Sequence, residues 1–333
     1  MRILVTGGLG YIGSHTVVSL LKTGHEVVIV DDLSNSQISV LAKIKSITSI
    51  AVPFFQINIT NKIPLENVFQ NYSFDGIIHF AGYKSVGDSV SNPLAYYFNN
   101  LVTTMNIAEM CLKYKVNHFV FSSSATVYGD GLSPLNESMP LLKRSNPYGE
   151  TKAICEMILS DTVNANPDFC VTLLRYFNPI GADSSGLIGE VPNGVPNNLM
   201  PYITQVANGI RKELSIYGND YPTKDGTGVR DYIHVVDLAL GHIAAIDNQK
   251  KGISVYNLGT GKGTSVLQLV HAFENENGVT IPYTIVGRRA GDIATCFADV
   301  AKAKRELNWE AKLTINDMVR DSWRFEKNRK QLK

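Results

Sequence analysis

The chain has 333 residues, enough for one large domain or for two that share a cleft. Its 31 basic and 30 acidic side chains nearly cancel, which removes the electrostatic case for nucleic acid or a membrane surface as partner. Cys111, Cys155, Cys170 and Cys296 form no C-x-x-C pair and the seven histidines no H-x-x-x-H, so neither a disulfide frame nor a metal centre is expected.

The first residues enter a strand at once, with no signal peptide, and no apolar run reaches spanning length. With reduced thiols, this gives a cytoplasmic expectation. Arg2 to Thr6 reads as a buried strand that runs into Gly7-Gly8-Leu9-Gly10-Tyr11-Ile12-Gly13. Ser14 to Thr23 has helical spacing with Gly24 as C-cap, and His25 to Val30 is a second strand ending at Asp31. Strand, glycine turn, helix, strand and acid, in that order, predict a dinucleotide site. The glycines let the backbone approach a pyrophosphate, whose charge the helix N-terminus favours. Asp31 can accept hydrogen bonds from a ribose diol and repels a 2′-phosphate, so NAD is expected over NADP.

Further on, Ala51 to Ile57 reads as a strand and Lys62 to Asn71 as a helix. Gly76 to Phe80 is apolar apart from His79, as in a sheet covered on both faces. Pro93 to Tyr114 is a long helix, and Asn117 to Ser122 and Cys170 to Tyr176 are buried strands. This alternation predicts a Rossmann-type α/β fold, a doubly wound parallel sheet with right-handed crossovers. From Asn178 to Arg230 the chain turns rich in Gly, Pro and Asn; Ile253 to Leu258 then reads as a strand returning to the sheet, and Val266 to Asn275 as a helix. The expected division is an NAD-binding domain at 1–177, with 235–265 returning to it, and a smaller interleaved C-terminal substrate domain at 178–234 and 266–333. The basic tail from Lys327 to Lys333 reads as a solvated, frayed helix end.

Ligands of such sheets sit beyond the carboxyl ends of the strands. Gly7 to Gly13, Asp31, Ala81-Gly82, Ser122 to Ser124 and Tyr176 to Asn178 all fall there. Tyr148 and Lys152 come from a neighbouring helix, four residues apart and so on one face. A phenol of pKa about 10 is a poor base at neutral pH, and a nearby ammonium favours its ionised form. Bringing it to neutrality needs about 4 kcal/mol of differential stabilisation, which Lys152 and a cationic nicotinamide are expected to share. The spacing alone recurs on ordinary solvated helices; convergence with Ser124 and a cofactor site makes the case.

The segments G-G-L-G-Y-I-G-S-H-T, F-S-S-S-A-T-V-Y-G, N-P-Y-G-E-T-K and L-R-Y-F-N-P resemble the extended short-chain dehydrogenase/reductase family. G-V-R-D-Y-I-H-V-V-D-L-A and Y-N-L-G-T-G-K-G-T-S-V are similar to its nucleotide-sugar 4-epimerase branch, and the likeness runs from Arg2 to about Trp309. The resemblance implies reversible, NAD-dependent oxidation at C4 of a UDP-hexose through a 4-keto sugar that turns within the site. Tyr148 would take the 4-hydroxyl proton, Ser124 would bond the same oxygen and help pass the proton, and Lys152 would hold the nicotinamide ribose. Cofactor contacts implied are Gly7, Gly10, Tyr11, Ile12, Gly13, Asp31, Asn35, Asn58, Ile59, Phe80, Ala81, Gly82, Lys84, Asn99, Ser122 and Tyr176, beside Tyr148 and Lys152. Implied substrate contacts are Lys84, Ser124, Tyr148, Asn178, Asn198, Leu199, Tyr217, Arg230, Tyr232, Arg289, Asp292 and Cys296. A homodimer, paired through Pro93 to Tyr114 and the Tyr148 helix, is implied by the same analogy.

Related 4,6-dehydratases and decarboxylases carry acids where this chain has Ala125-Thr126, and neither residue can supply the proton chemistry of elimination. A non-catalytic NAD-sensing relative would lack the tyrosine, lysine or serine; all three are present. Two departures from the family pattern remain. Asn58 replaces an aspartate near the adenine, where its amide oxygen is expected to accept one hydrogen bond. Cys296 replaces a tyrosine, which vacates space beside the sugar and predicts acceptance of UDP-GlcNAc and UDP-GalNAc.

Overall fold

Alternation along the first strands decides how the sheet is covered. In β1 (Arg2–Thr6) and β2 (Glu26–Asp31), Ile3, Val5, Val27 and Ile29 face one side, and Leu4, Val28 and Val30 the other. A strand apolar on both faces must be covered on both. Helices α1 (Tyr11–Lys22) and α2 (Ser39–Thr48), with the later helix Val235–Asp247, cover the first face. The computed structural model describes residues 1–196, 198–289 and 291–331.

The chain continues through β3 (Phe54–Gln56), α3 (Lys62–Asn71), β4 (Gly76–His79) and α4 (Val86–Ser91). It then forms α5 (Pro93–Lys113), β5 (His118–Ser122), α6 (Pro147–Ala165) and β6 (Cys170–Tyr176). Helices α3, α5 and α6 cover the second face through Leu65, Ile107 and Leu159. The strand Ile253–Leu258 pairs with β6 and completes a seven-stranded, all-parallel sheet, in the order 253–258, β6, β5, β4, β1, β2, β3. Strand order reverses at β1 and β4, so the crevice for a ligand opens above their carboxyl ends.

The region after β6 is more structured than its composition suggests. Asn178–Ile180 pairs in parallel with Tyr232–His234, and Leu214–Tyr217 with Tyr283–Val286. A separate core of Ile203, Ile216, Phe273, Val319 and Trp323 draws these together with the helix Leu199–Ala207. The last helix, Ile315–Gln331, packs on it; the remainder of the predicted basic tail, 332–333, lies outside the described residues. Among the described residues no helix is long and apolar enough to cross a membrane.

Some elements differ from the expectation. Helix α1 starts at Tyr11, not Ser14, because Gly10 is extended and its carbonyl already accepts the Ser14 N–H at 2.9 Å. The strand expected over residues 51–57 pairs only at Phe54–Gln56, since β3 is the sheet edge with one neighbour.

Candidate active site

The turn between β1 and α1 is shaped by contacts that no side chain would survive. Gly7 has φ +69°, and a Cβ there would lie 2.9 Å from the Ala81 nitrogen at the end of β4. A Cβ on Gly13 would lie 2.2 Å from the Gly7 carbonyl oxygen. The turn therefore packs against both the helix and the neighbouring strand end. No side chain caps α1 and its first turn holds no acid, so free N–H groups and the positive helix end face the crevice. Asp31 is buried and accepts the Leu9 N–H (3.0 Å), the Leu33 N–H (2.9 Å) and the Ser36 hydroxyl (2.8 Å). A carboxylate offers about four acceptor positions, so one remains for a ribose hydroxyl. Both features fit a dinucleotide.

Around this turn the expected cofactor residues take different stations. Tyr11 contributes its helix-start backbone, while its phenol donates to the Gly181 carbonyl at 2.7 Å; Ile12 packs on the sheet core. Asn35 is exposed on the loop after β2, and Ile59 is buried after β3. Asn58 sits in a local turn, its amide oxygen accepting the Thr60 N–H at 3.0 Å and hydroxyl at 2.7 Å. Phe80 packs against His242, with ring centroids 4.7 Å apart. Asn99 is buried beside Asn100, whose side chain grips both backbone polar groups of Tyr83 at 2.7 and 3.1 Å, fixing the Gly82–Lys84 loop to α5.

The reacting groups lie over β5 and β6. Asn146 caps α6 by accepting the Gly149 N–H at 2.9 Å, with Pro147 in the first turn, so Tyr148 projects from the helix start. Tyr148, Ser124 and Lys152 are all buried. The Lys152 ammonium donates to the Ser122 carbonyl at 2.7 Å and lies 4.8 Å from the centre of the Phe121 ring. Burial lowers its pKa to about 8. Beneath it, burial and then the Lys152 charge push His79 down to about 3, so that imidazole is neutral. Ser122 also shares a hydrogen bond with the Tyr176 phenol, and that phenol is close enough to Tyr148 to feel its charge.

Without cofactor, burial raises the Tyr148 phenol above its ordinary value, and the Ser124 hydroxyl opposes that rise. The two side chains share a helix face, but the ammonium is directed into the Ser122 carbonyl.

The substrate residues form two groups. Arg230 lies 3.9 Å from Asp292, Arg289 pairs with Asp292 at 2.9 Å, and the Arg289 guanidinium sits 5.6 Å from the Tyr217 ring centre. Cys296 is in register with Arg230 on the adjacent strand and packs against the small core that includes Val127, Tyr128 and Ala298. In the second group, Asn198 precedes Leu199 at a helix start and donates to Glu190 at 2.7 Å. Lys84 approaches the same carboxylate at 3.8 Å. Asn178 follows two residues after Tyr176 and is half-buried. Tyr232 departs from the others: its side chain is packed in the core of the second half.

Sequence reasoning missed Glu190 and Glu156. Burial raises the Glu190 carboxyl, and no motif marks it. Glu156 binds Arg175 bidentately (3.0 and 2.6 Å) and accepts the Ser123 hydroxyl at 2.5 Å. Its signal was available, since 148, 152 and 156 continue one helical face.

A family model described as GDP-mannose 4,6 dehydratase matches residues 4–322. The chain is similar to a UDP-glucose 4-epimerase of Bacillus subtilis (strain 168), 55% identical over 98% of this chain and 97% of the other. It is similar to the solved UDP-glucose 4-epimerase of Stenotrophomonas maltophila with bound NAD and formylated UDP-arabinopyranose (46% identical, TM-score 0.97, all of both chains). It also matches the UDP-Glc/GlcNAc 4-epimerase of Campylobacter jejuni (37% identical, TM-score 0.85, 98% of this chain and 99% of that one).

The burial of Tyr148 has a direct spectroscopic consequence. In cofactor-free protein its phenolate, read as the ultraviolet difference against Tyr148→Phe, should form only above pH of about 10. A residue-148 phenolate already present at neutral pH would contradict this electrostatic description.

Proposed function

We infer, from a chain that belongs to the extended short-chain dehydrogenase/reductase family and within it to the UDP-glucose 4-epimerases, that this cleft performs NAD-dependent C4 epimerisation of UDP-hexoses. The observation that carries the reading is the burial of Ser124 and Tyr148 together, beside Tyr176, at the carboxyl ends of β5 and β6, in the same parallel sheet whose β1 carries the glycine turn. The wider family includes dehydratases, but Ala125 and Thr126 offer neither acid nor base for elimination.

NAD, when bound, supplies a hydride acceptor for sugar C4 and a positive charge beside the phenol. The chain supplies the rest. The uncapped start of α1 holds a pyrophosphate and Asp31 a ribose hydroxyl. Tyr148 takes the 4-hydroxyl proton as C4 is oxidised and returns it when the keto sugar is reduced on the opposite face. Ser124 bonds the same oxygen. Lys152, anchored on the Ser122 carbonyl, presents its remaining N–H groups to the nicotinamide ribose. Arg230 and Arg289 bring planar guanidinium forks to the diphosphate, with Asp292 fixing both. Residues 1–177 and 235–265 form the cofactor side, and 178–234 with 266–333 the sugar side.

Two finer readings rest on particular observations. Cys296 is half-buried and in register with Arg230, one of the arginines assigned to the diphosphate, which supports placing a small thiol near the sugar. That supports acceptance of N-acetylated UDP-hexoses, in line with the name of the Campylobacter relative. On α5, Leu94, Phe98, Met105 and Leu112 are 82%, 64%, 43% and 38% exposed at spacings of four and seven, and Met157 on α6 is 58% exposed. An apolar stripe on two adjacent helices supports a homodimer. The four cysteines are unpaired, in keeping with the cytoplasm.

Three measurements test these readings. Tyr148→Phe should retain NAD and lose about 10²–10⁴-fold in turnover of UDP-galactose; an unchanged rate removes Tyr148 as the base. Cys296→Tyr should reduce the rate on UDP-GlcNAc about tenfold more than on UDP-glucose, and equal losses would refute the pocket argument. Light scattering should give a dimer for the parent and a monomer for Phe98→Asp; a monomeric parent ends the dimer reading.

A further inference from the structure

Between the strand Asn178–Ile180 and the helix Leu199–Ala207, the chain makes an excursion from the sugar side. Gly181 to Asn193 is held in shape by a backbone bridge between Ala182 and Gly189 and by the Asp183 N–H, which donates to the Ile188 carbonyl at 3.3 Å. Its back is fixed to the last helix, Ile315–Gln331. There the Gly181 N–H donates to the Ser322 hydroxyl at 3.0 Å, and Arg324 donates to the Ser184 carbonyl at 2.9 Å. A Cβ on Gly189 would lie 2.4 Å from the Phe325 ring. Its front meets three parts of the cofactor side. The Tyr11 phenol, at the start of α1, donates to the Gly181 carbonyl at 2.7 Å. The Asn193 amide comes within 3.5 Å of the Ser34 carbonyl on the loop after β2. Lys84, on the loop after β4, lies 3.8 Å from the Glu190 carboxylate, which also accepts the Asn198 amide at 2.7 Å.

Strands β4, β1 and β2 are neighbours in the sheet, so these three loops stand side by side at the carboxyl ends, where strand order reverses. A dinucleotide on the glycine turn lies along that row. A segment that reaches all three loops from the opposite wall passes over it. Of the three contacts, only Lys84–Glu190 joins opposite charges, with side chains 48% and 13% exposed. The Lys84 loop is itself tied to α5 through Asn100, so the pair connects two fixed bodies. We propose that Glu190 is a positioning residue for the cofactor: the charged clasp of a strap, 181–193, that holds the sugar wall against the Lys84 loop and keeps NAD in the crevice between turnovers. This rests on the reading that the crevice binds NAD for C4 epimerisation. No proton or hydride passes through Glu190. The reaction returns to the sugar what it removes, so a retained cofactor is never exhausted and a closed crevice does not slow the cycle.

The test is the rate at which purified holoenzyme, without sugar, releases NAD to an excess of a second NAD-dependent dehydrogenase, read as absorbance of the reduced nucleotide. Glu190→Gln keeps an acceptor for Asn198 and removes the charge. Its release should be about fivefold faster, the upper scale for one partly exposed ion pair. In a Lys84→Met background the same substitution should change release by less than about twofold, because no ammonium is left to clasp. Tyr11→Phe, which loosens the other end of the strap without touching a charge, should also speed release. Salt should speed release from the parent more than from Glu190→Gln, since only the parent has this ion pair to screen. Release at the parent's rate in Glu190→Gln, or equal acceleration in both Lys84 backgrounds, overturns the proposal and leaves the epimerase reading intact. A parent that neither carries nor binds NAD overturns the epimerase reading together with it.

Discussion

One buried ion pair holds together the three pieces of chain that carry the chemistry. Glu156 lies on α6, the helix of Tyr148 and Lys152; Arg175 lies on β6, one residue before Tyr176; and Ser123, which donates to the same carboxylate, precedes Ser124. Arg175 and Glu156 are 5% and 4% exposed, so neither charge tolerates loss of its partner. Breaking such a pair by removing one member costs about 3–5 kcal/mol, because the survivor is left desolvated and alone. The pair is not simply a stabilising contact. It sets the distance between a helix and two strand ends, and so the distance between phenol, serine and cofactor crevice.

Burial works against the reaction before it works for it. The same exclusion of water that raises the Tyr148 phenol also lowers Lys152 to about 8 and keeps His79 neutral near 3. A neutral imidazole under the lysine spares the site a second positive charge. The phenol then depends on local donors and on the cofactor's own charge to become a base. Fixed dipoles in a dry cleft are worth more than the same groups in water, and they need not reorganise as charge develops.

Much of this was legible in the amino-acid order, and the parts that were not share a cause. The first strand, glycine turn, helix and Asp31 are local in sequence and carry strong backbone signals, so their arrangement could be read directly. Gly76 to His79 announced a doubly covered sheet by being apolar on both faces. Helix α2 escaped notice although Val40, Leu41, Ile44 and Ile47 form an apolar face; of these only Ile44 is fully buried. The pairing of Tyr148 with Lys152 gave a shared helix face, but not the Ser122 carbonyl that claims the ammonium from 30 residues away. Glu190 gains meaning only where Asn198, from the next helix start, and Lys84, from a distant part of the chain, meet it. The turn that Asn58 makes with Thr60, two residues away, was likewise not foreseen.

The path of the chain through the sheet also bears on how such an enzyme can change. The backbone leaves the sheet after Tyr176, builds much of the sugar side, and returns at Ile253 to pair with β6 along its length. A genetic crossover near residue 177 that brought in a foreign second half would therefore also replace the outermost strand of the cofactor sheet. Specificity in this architecture is consequently free to drift through single positions and short loops, whereas wholesale exchange of modules, common in proteins strung as beads, is closed to it.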